Sequence, residues 1–258
     1  MDLGLTGKIA MVAAASKGIG LAAARVLCEE GARVSICGRN QANLDAALLT
    51  LPGAVGCLCD VSDGKQIEDW HAFTCARLGD PDILVTNTGG PPAGSLSAMT
   101  DEQWREGFES TLMNVVRLVR LVAPAMVEKR WGRIVHVTSL VAKEPSPLLP
   151  ISSTLRAGLM AMTRLQALEL AHAGVTVNAV LPGHTLTDRQ YHLASIRASQ
   201  LGVTPDEALE MQAEQVPMKR LGKPEEIGAG VAFLCSEQAA YITGINLLID
   251  GGLVKGLA

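Results

Sequence analysis

The first thirty residues constrain this chain most. Lys8 to Ala14 (KIAMVAA) is a short apolar run, the length of a strand buried on both faces. Ser16, Lys17, Gly18, Ile19 and Gly20 follow, then LAAARVLCEEG, a helical pattern that stops at Gly31. A buried strand, a tight glycine turn and an Ala-rich helix, in that order, open a dinucleotide-binding unit. Gly18 and Gly20 let backbone approach a bound group. The helix start beyond them offers free N–H groups and a positive dipole end to a diphosphate.

The same alternation continues along the chain. ARVSIC ends at Gly38-Arg39-Asn40, and a helix from about Asn43 to Thr50 leads to AVGCLC and Asp60. A helix carrying Trp70 and Phe73, both read as core, precedes DILVTN and the turn Asn87 to Pro92. Strands alternating with helices predict an α/β fold, a single doubly wound parallel sheet of Rossmann type with helices on both faces. In an NAD site, an acidic residue about 20 positions beyond the glycines takes the ribose 2′-hydroxyl. Arg39 stands there instead, with Lys17 inside the turn. Two cations suit a 2′-phosphate, so the expected cofactor is NADP(H). Asp60, at a strand's carboxyl end, is placed to accept from the adenine amino group.

Composition narrows the setting. With 258 residues, 48% hydrophobic and 19% charged, the chain can bury a large core, and residues 1–258 are read as one domain. A net charge of −4 gives no general attraction to nucleic acid or to an anionic membrane. No apolar run is read as long enough for a membrane span. The six cysteines show no metal spacing, so no metal site is expected. Cys57 and Cys59 read as structural thiols, and a reducing cytoplasm fits them.

Several segments together resemble a known family. They are KGIG (17–20), Cys59 to Val61, Asn87 to Gly90, GRIVHVTS (132–139), VTVNAVLPG (175–183), PMKRLGKPEEI (217–227) and YITGINLLIDGG (241–252). They look like the short-chain dehydrogenase/reductase superfamily, closest to its β-ketoacyl-carrier-protein reductase branch. The resemblance spans nearly the whole chain. It implies a cofactor site of Ser16, Lys17, Gly18, Ile19, Gly20, Arg39, Asp60, Val61, Asn87, Gly89, Arg156, Pro182, Gly183 and Thr187. Thr187 would bond the nicotinamide amide. The resemblance also implies a homotetramer, with the helices holding Leu112–Val122 and Leu155–Leu170 at one interface.

The family's reaction uses an Asn, a Ser, and a Tyr and Lys spaced YxxxK. The Tyr delivers a proton as hydride arrives, and the Lys lowers its pKa and holds the nicotinamide ribose. Here Ser139 is retained, while the other three positions fall on Thr111, Ser152 and Arg156. Ala14 also replaces the first glycine of the turn. Arg156 keeps a charge that can bind ribose hydroxyls, but it is no useful proton donor. Ser152 is short and weakly acidic, and reads mainly as the N-cap of the helix it begins, Ser152 to about His172. Thr111 can hold a water, and Asn114, three residues on, shares its helix face.

Thr111 lies in a helix from Asp101 to Lys129, capped by Thr100 and interrupted near Pro124. Residues 184–216 form the expected substrate lid, with a capping box at Thr204 and Glu207. Tyr191, His184 and His192 in the lid, and Lys143 after Ser139, are alternative proton donors, whereas Tyr241 reads as packing. Three functions remain open: an NADP(H)-dependent reductase or dehydrogenase of a small carbonyl or alcohol with altered proton delivery, a non-redox lyase or hydratase, and a non-catalytic NADP(H)-binding protein.

Overall fold

The protein, a computed structural model, is described over residues 2–256. Strands β1 (Ile9–Val12), β2 (Arg33–Gly38), β3 (Val55–Leu58), β4 (Ile83–Thr86), β5 (Gly132–Val137), β6 (Val175–Pro182) and β7 (Asn246–Ile249) form one sheet. Its order is β3-β2-β1-β4-β5-β6-β7, and every pairing is parallel. The direction of winding reverses between β1 and β4, so a crevice opens at their carboxyl ends.

Side-chain alternation builds a core on each face. Ala10 and Val12 of β1 pack on α1 (Gly18–Glu29), α2 (Gln41–Leu48) and α9 (Pro224–Cys235). Met11 and Ala13 face the other way, toward α3 (Gly64–Arg77), α5 (Asn114–Lys129) and α6 (Pro150–Leu170). Both faces are therefore covered, which is why these strands are continuous apolar runs. Trp70 is fully buried, and Phe73 packs against the same core from a half-buried position.

The long helix differs from expectation. It begins as α4 (Asp101–Phe108), capped by Thr100, and joins α5 through a single π turn, Glu109–Met113. Pro124 does not interrupt it. The carbonyl it leaves without a partner belongs to Arg120, an exposed residue, so water can satisfy it. The irregularity sits at the π turn, where Ser110 Oγ bonds back to the carbonyl of Glu106 at 2.8 Å. The 29 residues 101–129 are also long and apolar enough to cross a membrane, contrary to the sequence reading. In this fold the helix lies along the sheet, with Val115, Leu118, Val119, Val122 and Met126 in the core.

The segment read as the lid contains two helices, α7 (Asp188–Leu201) and α8 (Pro205–Gln215). Its small core joins Ala194, Ala198, Ala208, Leu209 and Leu221. The capping box at Thr204 and Glu207 forms as read. The lid's two stems are stitched together, since Leu186 N–H donates to Gly222 O at 2.9 Å and Gly222 N–H to His184 O at 2.8 Å.

Candidate functional site

The turn after β1 meets the requirements of a phosphate cradle. Lys17, the N-cap of α1, makes no side-chain cap, so the first N–H groups of the helix are free for a ligand. A Cβ on Gly20 would lie 2.8 Å from Ala14 O and 2.9 Å from Ala15 Cα, so only glycine lets the helix sit this close. Asn87 Nδ2 ties the β4 loop to this turn, donating to Ala14 O at 3.1 Å. A Cβ on Gly89 would meet nothing within 4 Å, which leaves room for a ligand. Ser16 packs under Gly38, Ile19 and Val61 are packed against the two cores, and Gly183 seats the end of β6 against Asp250. Pro182 is the last residue of β6.

Arg39 and Asp60, read as the adenine side, stand at the ends of β2 and β3. Arg39 Nη1 stands 3.7 Å from Asp60 Oδ2, and its side chain is mostly exposed. Asp60 Oδ1 accepts from the Ser62 N–H at 2.9 Å and hydroxyl at 2.7 Å. Burial opposes the charge on Asp60, but these bonds and Arg39 outweigh it and hold the carboxyl below its ordinary range. Lys17 turns toward the lid and pairs with Asp188 at 3.3 Å.

Two of the replaced positions, Ser152 and Arg156, gather at the end of β5. Ser139 Oγ accepts from the Val141 N–H at 3.3 Å. Ser152 is not an N-cap: α6 starts at Pro150, and Ser152 is buried within its first turn. Its Oγ accepts from Arg156 Nε at 3.1 Å. Arg156 Nη1 donates to the carbonyls of Val137 at 3.1 Å and Thr138 at 2.8 Å. Desolvation, with Arg189 adding like charge, lowers the Arg156 pKa to about 10, so it stays charged at neutral pH. Thr111 lies in the π turn, and its buried Oγ1 has no partner. Asn114 Oδ1 is taken by the Val115 N–H at 2.6 Å.

The first residues of the segment read as the lid touch the glycine turn and the loop after β4. Thr187 caps α7, and its methyl comes within 3.4 Å of the Cβ position of Gly18. Arg189 Nη2 donates to Pro91 O at 2.6 Å. Sequence reasoning missed Arg189, and its only signal was a charge directly after Thr187 and Asp188. Tyr191 and His192 are exposed, His184 is half-buried in the lid stem, and Lys143 is half-buried beyond Ser139. Tyr241 is 103% exposed, so it packs on nothing in its own chain. A hollow of about 360 Å³ beside His184, Arg220 and Asp250 lies behind the lid stem and includes none of Ser139, Ser152 or Arg156.

Comparison with known proteins agrees with this geometry. The family model described as Enoyl-(Acyl carrier protein) reductase matches residues 13–254. The 3-oxoacyl-[acyl-carrier-protein] reductase of Escherichia coli is 37% identical over 249 residues, 96% of this chain and 97% of its own. The chain belongs to the short-chain dehydrogenase/reductase family. Among its dehydrogenase/reductase relatives, SDR family member 4 of Bos taurus is 35% identical, over 98% of this chain and 89% of its own. The L-sorbose reductase of Gluconobacter frateurii, solved with NADPH and L-sorbose, superposes with a TM-score of 0.94 at 32% identity and covers 100% of both chains. An actinorhodin polyketide ketoreductase solved with NADPH gives 0.93 at 34% identity, over 96% of this chain and 98% of its own.

Proposed function

We propose that this short-chain dehydrogenase/reductase is an NADP(H)-dependent oxidoreductase that reduces a ketone, of 3-oxoacyl or related type, with altered proton delivery. One observation carries the reading: α1 starts uncapped after β1, and the cation Arg39 directly follows β2, where an NAD site holds an acid. An acid there would repel a 2′-phosphate, whereas a guanidinium pairs with it. The relatives solved with NADPH support the same cofactor.

NADP(H), when bound, supplies the hydride. The chain's own residues do the rest. The free N–H groups at Gly18 and Ile19 receive the diphosphate, and Thr187 faces them from the lid. Ser139 accepts from Val141, which leaves its hydroxyl hydrogen free to orient the substrate carbonyl oxygen. Arg156 adds positive charge beside that oxygen but keeps its proton. Ser152 is too weak an acid to replace a phenol, so the proton arrives through water, for which the unpartnered Thr111 hydroxyl is a fitting ligand. The lid, 184–216, closes over the substrate. The six cysteines are all free, which suits the cytoplasm, and the molecule works as a homotetramer.

A second reading, a non-catalytic NADP(H)-binding protein, is favoured by the way Arg156 is tied to backbone carbonyls. Fluorescence titration with NADPH and NADH, then addition of a 3-oxoacyl thioester and a ketone panel, separates the two. NADPH should bind at least about tenfold more tightly than NADH, a difference of roughly 1.4 kcal/mol, and should be oxidised slowly. Tight binding with no oxidation by any carbonyl would favour the binding protein. Equal affinity for the two cofactors would overturn the cofactor assignment.

A further inference from the structure

At the carboxyl edge of the sheet two guanidinium groups, Arg156 and Arg189, have no carboxylate partner among the described residues, and the charge of Arg189 is felt at Arg156. Arg156, only 7% exposed, spends Nε on Ser152 Oγ and Nη1 on two backbone carbonyls. Arg189, half-buried at the start of α7, spans the cleft to Pro91 O. Its guanidinium lies flat on Gly90, where an added Cβ would be 2.9 Å from Nη2 and 3.0 Å from Nε. Among the described residues, every protein partner of the two groups is a neutral oxygen. The acid next in sequence, Asp188, is turned to Lys17 instead.

Such an arrangement is costly without a counter-charge. A guanidinium removed from water needs a counter-charge, and two like charges close together need it more. An arginine's planar fork is also the donor set that fits a carboxylate. We propose that Arg189, with Arg156 behind it, receives the carboxylate of an acidic carbonyl substrate, so that the enzyme reduces an oxo acid rather than a neutral ketone. This inference rests on the reductase reading above. The carboxylate is a handle and leaves unchanged. One hydride from NADPH adds to the carbonyl carbon and one proton to its oxygen, giving a hydroxy acid and NADP⁺. The other available oxyanion is the cofactor diphosphate. Its seat is the uncapped start of α1, whereas Arg156 stands with Ser152 and the end of β5, where the family reaction handles the carbonyl.

The test compares acids with their neutral esters in the holoenzyme: 2-oxobutyrate, acetoacetate and levulinate, each against its methyl ester. For at least one pair, kcat/KM should favour the acid by about tenfold or more, and Arg189→Gln should lower that ratio about 10–100-fold, mainly through KM. Arg189→Lys, which restores charge without the fork, should recover part of the ratio. The NADPH dissociation constant of Arg189→Gln should stay within about threefold of the parent, with circular dichroism verifying the fold. Esters used as well as acids would overturn the proposal. So would a loss of NADPH affinity as large as the loss of acid preference, since Arg189 would then serve the diphosphate. If no carbonyl is reduced, the reductase reading fails by itself, and carboxylate binding is read from thermal melting of the NADP⁺ complex. An acid that raises Tm in the parent but not in Arg189→Gln, with its ester inert, upholds the site. Equal responses to acid and ester refute it.

Discussion

Ala14 shows how one residue can be out of place and tolerated. Its φ of 47° lies in the left-handed region, which costs an L side chain about 1–2 kcal/mol. The turn holds it there, because its N–H donates to Cys37 Sγ at 3.3 Å and its carbonyl accepts from Asn87. Ala14→Gly removes the strain but gives the unfolded chain freedom worth about 0.4–1 kcal/mol. The strain is the larger effect, so Tm should rise by about 2 °C at this chain length, as read by thermal unfolding. A fall in Tm would mean that the turn is relaxed with alanine. At the cofactor, Arg39→Ala should weaken NADPH by about 1.5–3 kcal/mol and leave NADH nearly unaffected in a fluorescence titration. Equal loss for both cofactors would separate Arg39 from the 2′-phosphate. Both residues were legible, since each occupies a position that the strand–turn–helix grammar assigns. Ser152 was misread, because a serine before a helical run is an ordinary cap. Proline has no N–H to satisfy, so Pro150 starts the helix earlier and puts Ser152 inside its first turn. Arg189 was legible only as a charge after Asp188, since chain folding is what brings it to Pro91.

Strand β5 carries a buried group that the reaction does not use. Thr86 Oγ1 donates to His136 Nδ1 at 2.9 Å, and Nε2–H donates to Gln166 Oε1 at 2.8 Å, with the tautomer assigned from these partners. Burial lowers the His136 pKa from 6.5 to about 4, against the hydrogen bond to Gln166. Between those pH values the unfolded chain takes up a proton that the folded one refuses. The stability from neutral His136 is therefore complete above about pH 6.5 and is lost as pH falls toward 4, with about 2 kcal/mol gone by pH 5. Urea unfolding at pH 7 and 5 should show this extra loss in the parent relative to His136→Asn. Identical pH slopes for the two proteins would show that His136 does not titrate abnormally. On α6, the pair Ser152→Tyr with Arg156→Lys should raise carbonyl reduction by about 10²–10⁴-fold, provided the ring reaches the carbonyl, while Arg156→Lys alone should change it little. A parent rate already equal to that of the double variant would refute the view that proton delivery is impaired. At this scale the strands and the two-faced packing were read from apolar runs and their period. The π turn was not, because it is decided by backbone bonding and packing around Glu109–Met113, and Pro124 was the more visible but wrong signal.

At the scale of the molecule, two of the apolar patches left uncovered matter most for assembly. On α6, Leu165 and Leu168 are 66% and 63% exposed and share one face. Phe233 of α9, Tyr241 and Ile245 are exposed next to β7, which among the described residues is an edge strand paired with β6 alone. Single exposed apolar side chains are ordinary, but clusters beside an open edge are what a second copy covers. Two distinct self-complementary patches on one chain generate two two-fold axes, and their product is a closed tetramer. Solution scattering should therefore give about four times the 27.1 kDa chain mass. Leu165→Asp with Leu168→Asp should break one interface and Tyr241→Asp should weaken the other, each leaving dimers, and their combination should leave monomers. With one two-fold axis at each patch, a charge at the edge-strand patch reduces the assembly only by half. A parent protein that scatters as a monomer at working concentration would refute the tetramer, and a single variant that dissociates it directly to monomers would refute the two-axis geometry.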